Sequence, residues 1–155
     1  KRLTDRTGTD YGYVGDIVEV NPAPVIDMLE KGYIPVVSTV AQGIDDETNY
    51  NINADTAACK LAVALGAKKL ILLTDVRGLM LDPEDESTLL RFLKVSEVPK
   101  LMRDGVIKGG MIPKVDCCVE AVRKGVEAAN IQDGRVKHSI LIELLSKVGV
   151  GTMFQ

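Results

Sequence analysis

One lysine stands directly behind two glycines at the expected start of an amphipathic helix, in the stretch Gly109-Gly110-Met111-Ile112-Pro113-Lys114. Glycines let backbone N–H groups approach an anion closely, and the first helical turn leaves its N–H groups unpaired at the positive end of the helix dipole. Proline suits the first helical position, so we expect the helix to begin at Pro113 with Lys114 at its mouth. This arrangement favours phosphate binding, and a solvated lysine in a glycine-bounded loop is the alternative.

A second polar group, Asn51-Ile52-Asn53-Ala54-Asp55, lies where a polar loop meets the next predicted helix. Its two amides and one carboxylate can face a ligand that lies over a sheet. The alternative is structural, because Asn53 or Asp55 could cap the helix, a contribution of roughly 1 kcal/mol.

A third segment, Thr74-Asp75-Val76-Arg77-Gly78-Leu79, directly follows the apolar run 70–73. Open parallel sheets bind ligands beyond the carboxyl ends of their strands, so an adenine nucleotide could lie there. The segment has neither the Walker A nor the GxGxxG spacing, and an ordinary tight turn is the alternative. His138 has no nucleophile motif beside it and is expected to be structural. The acidic stretch 82–86 is expected to be a solvated loop, although Mg²⁺ could collect there.

Hydrophobic periodicity predicts the elements that position these groups. Apolar or β-branched runs bounded by Gly or Pro predict strands at 16–20, 33–39, 69–74, 130–132 and 151–154, the last at a sheet edge. Helical spacing predicts helices at 23–31, 53–65, 95–103, 138–145 and behind Pro113. The helix behind Pro113 would bury Val115, Cys118, Val119, Val122 and Val126. The fold class is α/β, a three-layer αβα sandwich around a mostly parallel open sheet.

Composition excludes several classes of protein. The 155 residues carry a formal charge of −3, and no apolar run approaches the roughly 20 residues that span a bilayer, so neither nucleic acid nor a membrane is expected as a partner. Three cysteines, Cys59, Cys117 and Cys118, favour neither a disulfide framework nor a zinc site and suggest a reducing compartment. The residues after Lys1 are typical of a domain interior, so we expect a fragment.

Four segments together resemble the C-terminal half of the acetylglutamate kinases, a branch of the amino acid kinase family. They are Gly32-Tyr33-Ile34-Pro35-Val36-Val37, Tyr50-Asn51-Ile52-Asn53-Ala54-Asp55, Leu72-Leu73-Thr74-Asp75-Val76 and Gly109-Gly110-Met111-Ile112-Pro113-Lys114-Val115. The stretch Met-Ile-Pro-Lys-Val-Asp-Cys-Cys is most similar to cyanobacterial and plant or algal members. The resemblance implies that residues 1–155 form a single domain, the C-terminal ATP-binding portion, with the N-terminal portion absent.

The resemblance implies transfer of the γ-phosphoryl group of ATP to the γ-carboxylate of N-acetyl-L-glutamate in arginine biosynthesis, with Mg²⁺ bridging the β- and γ-phosphates. It implies that Lys114 stabilises the transition state from the nucleotide side and that Asp55 orients the catalytic lysines. It also implies that Asn51, joined by Asn53, binds N-acetylglutamate.

The resemblance further implies two nucleotide-binding segments. They are Asp75, Val76, Arg77, Gly78, Leu79 and Met80, and Val106, Ile107, Lys108, Gly109 and Gly110. The family's first catalytic lysine, its glycine-rich phosphate loop and its substrate-binding arginine belong to the N-terminal half. We therefore expect this chain to be inactive by itself.

The C-terminal part is similar to the arginine-sensitive branch of the family, whose feedback site would include Glu143 and Gly149. Two departures from that branch are Asn130, where histidine is frequent, and Lys147-Val148, where an acidic residue is common. The resemblance also implies a homo-oligomer, with a hexamer and a PII-type signalling protein as candidate assemblies. The location implied is the cytoplasm in a bacterium and the plastid stroma in a plant or alga.

Two alternatives remain open at this stage. Aspartate, glutamate, carbamate and uridylate kinases share the fold, and the segment 51–55 is what distinguishes the acceptor. A noncatalytic module that binds a nucleotide or an amino acid is the second alternative, and the retention of both Asp55 and Lys114 argues against it.

Overall fold

The structure is a computed structural model that describes residues 1–4, 7–146 and 149–155. The chain divides into two compact units, Lys1–Leu65 and Gly66–Gln155. Within the described residues each unit has its own four-stranded sheet with helices, so the predicted α/β class is confirmed. None of the helices in these ranges is long and apolar enough to cross a lipid bilayer.

The first unit has a sheet in the order β1-β2-β4-β3 and two helices. Its strands are β1 (Arg2–Thr4), β2 (Asp10–Gly15), β3 (Val40–Gln42) and β4 (Asn49–Ile52), and its helices are α1 (Ala23–Glu30) and α2 (Ala54–Ala64). Strand β2 pairs with β4 in parallel, and the other two pairs are antiparallel. Strand β4 alternates, with Tyr50 and Ile52 buried and Asn49 and Asn51 exposed, so one face of it is apolar and the other polar.

Local signals explain both helices of this unit. Helix α1 ends at Glu30, and Gly32 has a φ of 79°, a conformation that favours glycine after a helix. Helix α2 begins behind Asn53, whose side-chain oxygen accepts a hydrogen bond from the backbone N–H of Thr56 at 3.1 Å. The predicted helices at 23–31 and 53–65 are therefore confirmed to within a residue or two.

The second unit has a sheet in the order β5-β7-β8-β6 and three α-helices. Its strands are β5 (Lys69–Thr74), β6 (Phe92–Leu93), β7 (Ala128–Asp133) and β8 (Thr152–Phe154), and its helices are α3 (Val98–Arg103), α4 (Met111–Arg123) and α5 (Ser139–Leu145). A short 3₁₀ helix lies at Glu86–Thr88. Strand β7 is buried along its whole length and pairs with β5 in parallel and with β8 antiparallel.

The core of the second unit forms where α4 packs against β7. The helix buries Val115, Cys117, Cys118 and Ala121, and Ile131 and Phe154 of the sheet are fully buried. The predicted apolar face is thus confirmed at Val115 and Cys118, whereas Val119 and Val122 are only half-buried. Val126 is buried as predicted but lies beyond the end of the helix at Arg123. The cysteines Cys59, Cys117 and Cys118 are buried.

Two predicted strands of the first unit are wrong. Residues 16–20 form no strand, because the sheet uses β2 directly before them. Residues 33–39 form none either, and β3 begins only at Val40. Ile34 and Val36 are 90 % and 95 % exposed. A β-branched run favours extended backbone, but a strand also needs a neighbour for its N–H and C=O groups, and the local pattern carries no information about that neighbour.

The strand directions also differ from the prediction. The first sheet is not mostly parallel, because β1 and β3 join it antiparallel. The second sheet has two parallel pairs, β5 with β7 and β6 with β8, and one antiparallel pair, β7 with β8. Strand β8 lies between β7 and β6 instead of at the sheet edge. The two-residue strand β6 occupies that edge, and so short a segment gives no periodic signal.

Two helix starts differ as well. Helix α3 begins at Val98 rather than at residue 95, and α4 begins at Met111 with Gly110 as its N-cap, which makes Pro113 the third helical residue rather than the first. Proline is still tolerated there, because the first four N–H groups of a helix have no intrahelical acceptor. The remaining predicted helix, at 138–145, is confirmed as α5, and its N-cap His138 has a left-handed φ of 60°.

Candidate functional site

The mouth of α4 is an open turn followed by a half-buried lysine. Residues 108–112 form consecutive turns, in which the N–H of Met111 donates to the carbonyl of Lys108 at 3.2 Å and that of Ile112 to the carbonyl of Gly109 at 3.2 Å. A Cβ added at Gly109 or Gly110 would meet nothing within 4 Å. Lys114 follows as the fourth residue of α4, so the structure keeps the predicted lysine at a helix N-terminus with open space before it.

The segment after β5 is anchored at one end and exposed at the other. Asp75 and Arg77 are exposed, whereas Gly78 and Leu79 are buried. The backbone N–H of Leu79 donates to the hydroxyl oxygen of Thr152 at 2.8 Å, and a Cβ at Gly78 would lie only 2.7 Å from that oxygen. The exposed Asp75 and Arg77 therefore lie between the carboxyl end of β5 and the anchored Leu79.

A carboxylate–guanidinium pair lies at the neighbouring strand end. Asp133, the last residue of β7, accepts hydrogen bonds from Nε and Nη2 of Arg135, both at 2.9 Å, and from its backbone N–H at 2.9 Å. These bonds from Arg135 lower the pKa of Asp133 from 3.8 to about 2, and they raise the pKa of Arg135 in turn. The Asp133 carboxylate is nearly buried and the Arg135 side chain is mostly exposed.

In the segment 51–55 of the first unit, one amide caps a helix and the other is exposed. Asn53 is the N-cap of α2, as the structural alternative predicted, and Asn51 lies on the exposed face of β4. Asp55 is half-buried in the first turn of α2. Asp55 and Lys114 belong to different compact units, and their proposed pairing stays a prediction.

A polar cavity of about 150 Å³ lies in the second unit. Its lining includes Lys69, Arg91, Asn130, Glu143, Ser146 and Gly149. Glu143, although 4 % exposed, is held by the Asn130 side-chain N–H at 2.8 Å, by Lys69 Nζ at 3.4 Å and by the Val150 backbone N–H at 3.1 Å. Gly149 is required beside it, since a Cβ there would lie 2.5 Å from Glu143 Oε2.

Lys69, Arg91 and Arg135 have no predicted site role. Lys69 and Glu143 meet 74 residues apart in sequence, so no local spacing reveals them. The Asp133–Arg135 pair could have been found, because it follows a buried strand as Asp75 does. The predicted departure at Lys147-Val148 lies outside the described residues. The acidic stretch 82–86 is exposed, as predicted, and the described residues contain no cluster of His, Cys, Asp or Glu that could hold a metal ion by itself.

Comparison with known proteins decides the family. The profile of the amino acid kinase family matches residues 2–133. The chain belongs to the amino acid kinase family. Among the curated relatives of this member, the acetylglutamate kinase of Clostridium beijerinckii is 60 % identical over 144 residues, which are 93 % of this chain and 50 % of the relative. That of Clostridium kluyveri is 53 % identical over 146 residues, 94 % of this chain and 51 % of the relative.

The amino acid kinase fold is also present in a solved structure of another enzyme. N-acetylglutamate synthase from Neisseria gonorrhoeae, complexed with coenzyme A and L-arginine, superposes with a TM-score of 0.88 at 27 % identity, covering 99 % of this chain and 35 % of that one. The present family member spans about half the length of the curated relatives it matches.

Proposed function

We propose that residues 1–155 are the C-terminal, ATP-binding portion of an acetylglutamate kinase, which transfers the γ-phosphoryl group of ATP to the γ-carboxylate of N-acetyl-L-glutamate in arginine biosynthesis. The observation that carries this is Lys114 at the N-terminus of α4, behind two glycines with open space around them. The 60 % identity to an enzyme of that name favours this acceptor over those of aspartate, glutamate, carbamate or uridylate kinases. Within residues 51–55, Asn51 and Asn53 supply side-chain amides that can hydrogen-bond this acceptor.

In this function Lys114 stabilises the negative charge that develops on the nucleotide side of the transferred group. Phosphoryl transfer depends on positioning and charge stabilisation more than on covalent chemistry, so a lysine at a helix N-terminus is suited to it. Asp55 orients the ammonium groups, and Asn51 and Asn53 bind N-acetylglutamate through their amides.

The nucleotide would lie along the segments 75–80 and 106–110. The exposed carboxyl end of β5 and the open turn at Gly109 and Gly110 fit a polyanionic ligand. When bound with ATP, Mg²⁺ would neutralise charge on the phosphates, and such an ion needs only one or two protein carboxylates. Asp75, an exposed carboxylate directly after β5, would be one of them.

The test is ATP-dependent acyl-phosphate formation by the complete polypeptide that contains this chain, trapped as the hydroxamate. Replacement Lys114→Ala is expected to lower kcat about a hundredfold or more. Lys124→Ala is the matched control, because Lys124 forms an exposed ion pair with Glu120 at the far end of α4. Turnover with a different acceptor, or full turnover without Lys114, would refute the proposal.

We also propose that the cavity at Glu143 is a feedback site for L-arginine. A buried carboxylate is the group that a guanidinium binds most strongly, and Lys69 and Arg91 supply cations for a ligand carboxylate. The side-chain oxygen of Asn130 is buried without a hydrogen-bond partner, so it can accept one from a ligand. The structural relative from Neisseria was solved with L-arginine.

We further propose a homo-oligomer. Helix α5 supports this, because it exposes several large apolar side chains, and exposed apolar patches mark interfaces. These are Ile140, Leu141, Leu144 and Leu145. A hexamer and a PII-type partner are the assemblies to be tested by light scattering of the complete polypeptide. A monomer at micromolar concentration would contradict the proposal.

A further inference from the structure

The segment after β7 lies directly beside the segment after β5. The two strands pair in parallel along their whole length, with Thr74 opposite Asp133. The backbone N–H of Gly134 then donates to the carbonyl of Thr74 at 2.9 Å, so the pairing continues for one residue beyond the strand end. Residues 133–135 and 75–77 therefore leave the same edge of the sheet side by side.

The turn at this point is closed by hydrogen bonds from two backbone N–H groups. The N–H of Arg135 donates to Asp133 Oδ1 at 2.9 Å, and the N–H of Gly134 is already bonded to Thr74. The two further hydrogen bonds, from Nε and Nη2 of Arg135, are thus additional to the turn. Their effect is to fix the plane and direction of the guanidinium.

A fixed guanidinium is ready to bind an anion. The Arg135 side chain keeps 71 % of its surface exposed while the carboxylate that holds it keeps 9 %. Most of the entropy cost of ordering a long side chain is then met before a ligand arrives.

The charges of the neighbouring segment act on the same pair. The charge of Arg77 helps to lower the pKa of Asp133, and the charge of Asp75 helps to raise the pKa of Arg135. Arg77 itself is held by Glu86 through its Nε at 3.1 Å. Two arginines, each held by one carboxylate, therefore stand at the edge where the nucleotide is proposed to bind.

We propose that Arg135, oriented by Asp133, contacts the phosphate groups of the nucleotide, a role that rests on the proposed ATP site. Arg135 supplies the ligand contact, and Asp133 is a positioning residue that acts through it. The chemistry recognised is a polyphosphate anion, which a planar guanidinium binds through parallel N–H···O bonds.

The test compares nucleotide binding by the complete polypeptide and its variants in calorimetric titrations with ATP, ADP and adenosine. Arg135→Gln is expected to weaken ATP binding roughly tenfold and adenosine binding not at all. Arg135→Lys keeps the positive charge but loses the planar geometry of the guanidinium. Its ATP affinity should therefore lie between those of the wild type and Arg135→Gln. Asp133→Asn should weaken ATP binding less than Arg135→Gln, because it only frees the guanidinium. The matched control is Arg123→Gln, an exposed arginine at the end of α4.

Unchanged ATP affinity in Arg135→Gln, an equal loss of adenosine affinity, or no ATP binding by the wild type would overturn the inference. Should Arg135→Gln fail to fold, as judged by circular dichroism, Arg135→Lys decides on the same criteria. Failure of the proposed function has a different signature: a wild type that binds ATP through Arg135 but phosphorylates no N-acetylglutamate would refute the function and leave this contact intact.

Discussion

The hydroxyl oxygen of Thr152 accepts a hydrogen bond from the backbone N–H of Leu79 at 2.8 Å, across 73 residues of sequence. Both residues are almost completely buried. The contact joins the first residue of β8 to the segment that follows β5, which is proposed to hold the nucleotide. It therefore couples the integrity of the second sheet to the shape of the proposed site.

We predict that Thr152→Val destabilises the protein by about 1–3 kcal/mol, because it removes the acceptor and leaves the buried N–H of Leu79 unpaired. The free energy of unfolding from urea titration measures this. Thr152→Ser is the matched control, since it keeps the acceptor and loses only a methyl group, about 0.8 kcal/mol. A Thr152→Val variant as stable as the wild type would contradict the prediction.

The two glycines before α4 differ in backbone conformation and offer a matched pair. Gly109 has a φ of 56° and Gly110 a φ of −65°, and a Cβ at either position would lie in open space. Gly109→Ala should therefore cost about 1 kcal/mol through backbone strain alone. Gly110→Ala should change the free energy of unfolding by less than about 0.5 kcal/mol. Equal effects of the two replacements would show that the turn changes conformation in solution.

Local signals in the sequence were sufficient for the helices and for β5. Asn53, Gly32 and Gly105 mark helix ends by chemistry that acts within a few residues. The predicted bounds of β5 are confirmed to the residue, because its continuous apolar run 70–73 is typical of a strand. The position of Lys114 in the first turn of α4 is confirmed in the same way, since the glycines and the helix lie beside it in sequence.

What local patterns did not predict depends on distant partners. The run 33–39 has strong β propensity, yet a strand forms only where another strand presents its edge. The antiparallel entry of β8 between β7 and β6 and the contact of Lys69 with Glu143 are likewise set by chain topology. Amphipathic spacing identifies which face of a helix is buried, but it does not identify the element that packs against that face.

The Asp133–Arg135 pair makes part of the stability depend on acid pH. Because its partner lowers the folded-state pKa of Asp133 to about 2 from 3.8, the carboxylate stabilises the fold fully above pH about 4 and loses this contribution as the pH falls towards 2. The difference in free energy of unfolding between wild type and Asp133→Asn should therefore shrink over that window. Arg135→Gln should abolish the same pH-dependent step. A difference that stays constant from pH 5 to pH 2 would show that the pair does not form.

Asn53 allows its capping role to be separated from its proposed role in binding N-acetylglutamate. Asn53→Ala should cost about 1 kcal/mol, because the N–H of Thr56 loses its acceptor. Asn53→Asp keeps the cap and should leave the free energy of unfolding nearly unchanged. Its new charge should nevertheless raise the KM for N-acetylglutamate, an acceptor that carries two carboxylates, without a matching change in the KM for ATP. An unchanged acceptor KM in Asn53→Asp would mean that this residue is only a helix cap.

The buried carboxylate of Glu143 provides the test of the proposed arginine site. Glu143→Gln keeps the size of the side chain and removes the charge that a guanidinium would bind, so we predict that the arginine concentration for half-inhibition rises at least tenfold. Activity without arginine should persist, which reports that the variant folds, and calorimetry should show the loss of arginine binding directly. Glu127→Gln is the control, because Glu127 is an exposed carboxylate in the same unit. Inhibition of Glu143→Gln at the wild-type arginine concentration would place the effector elsewhere.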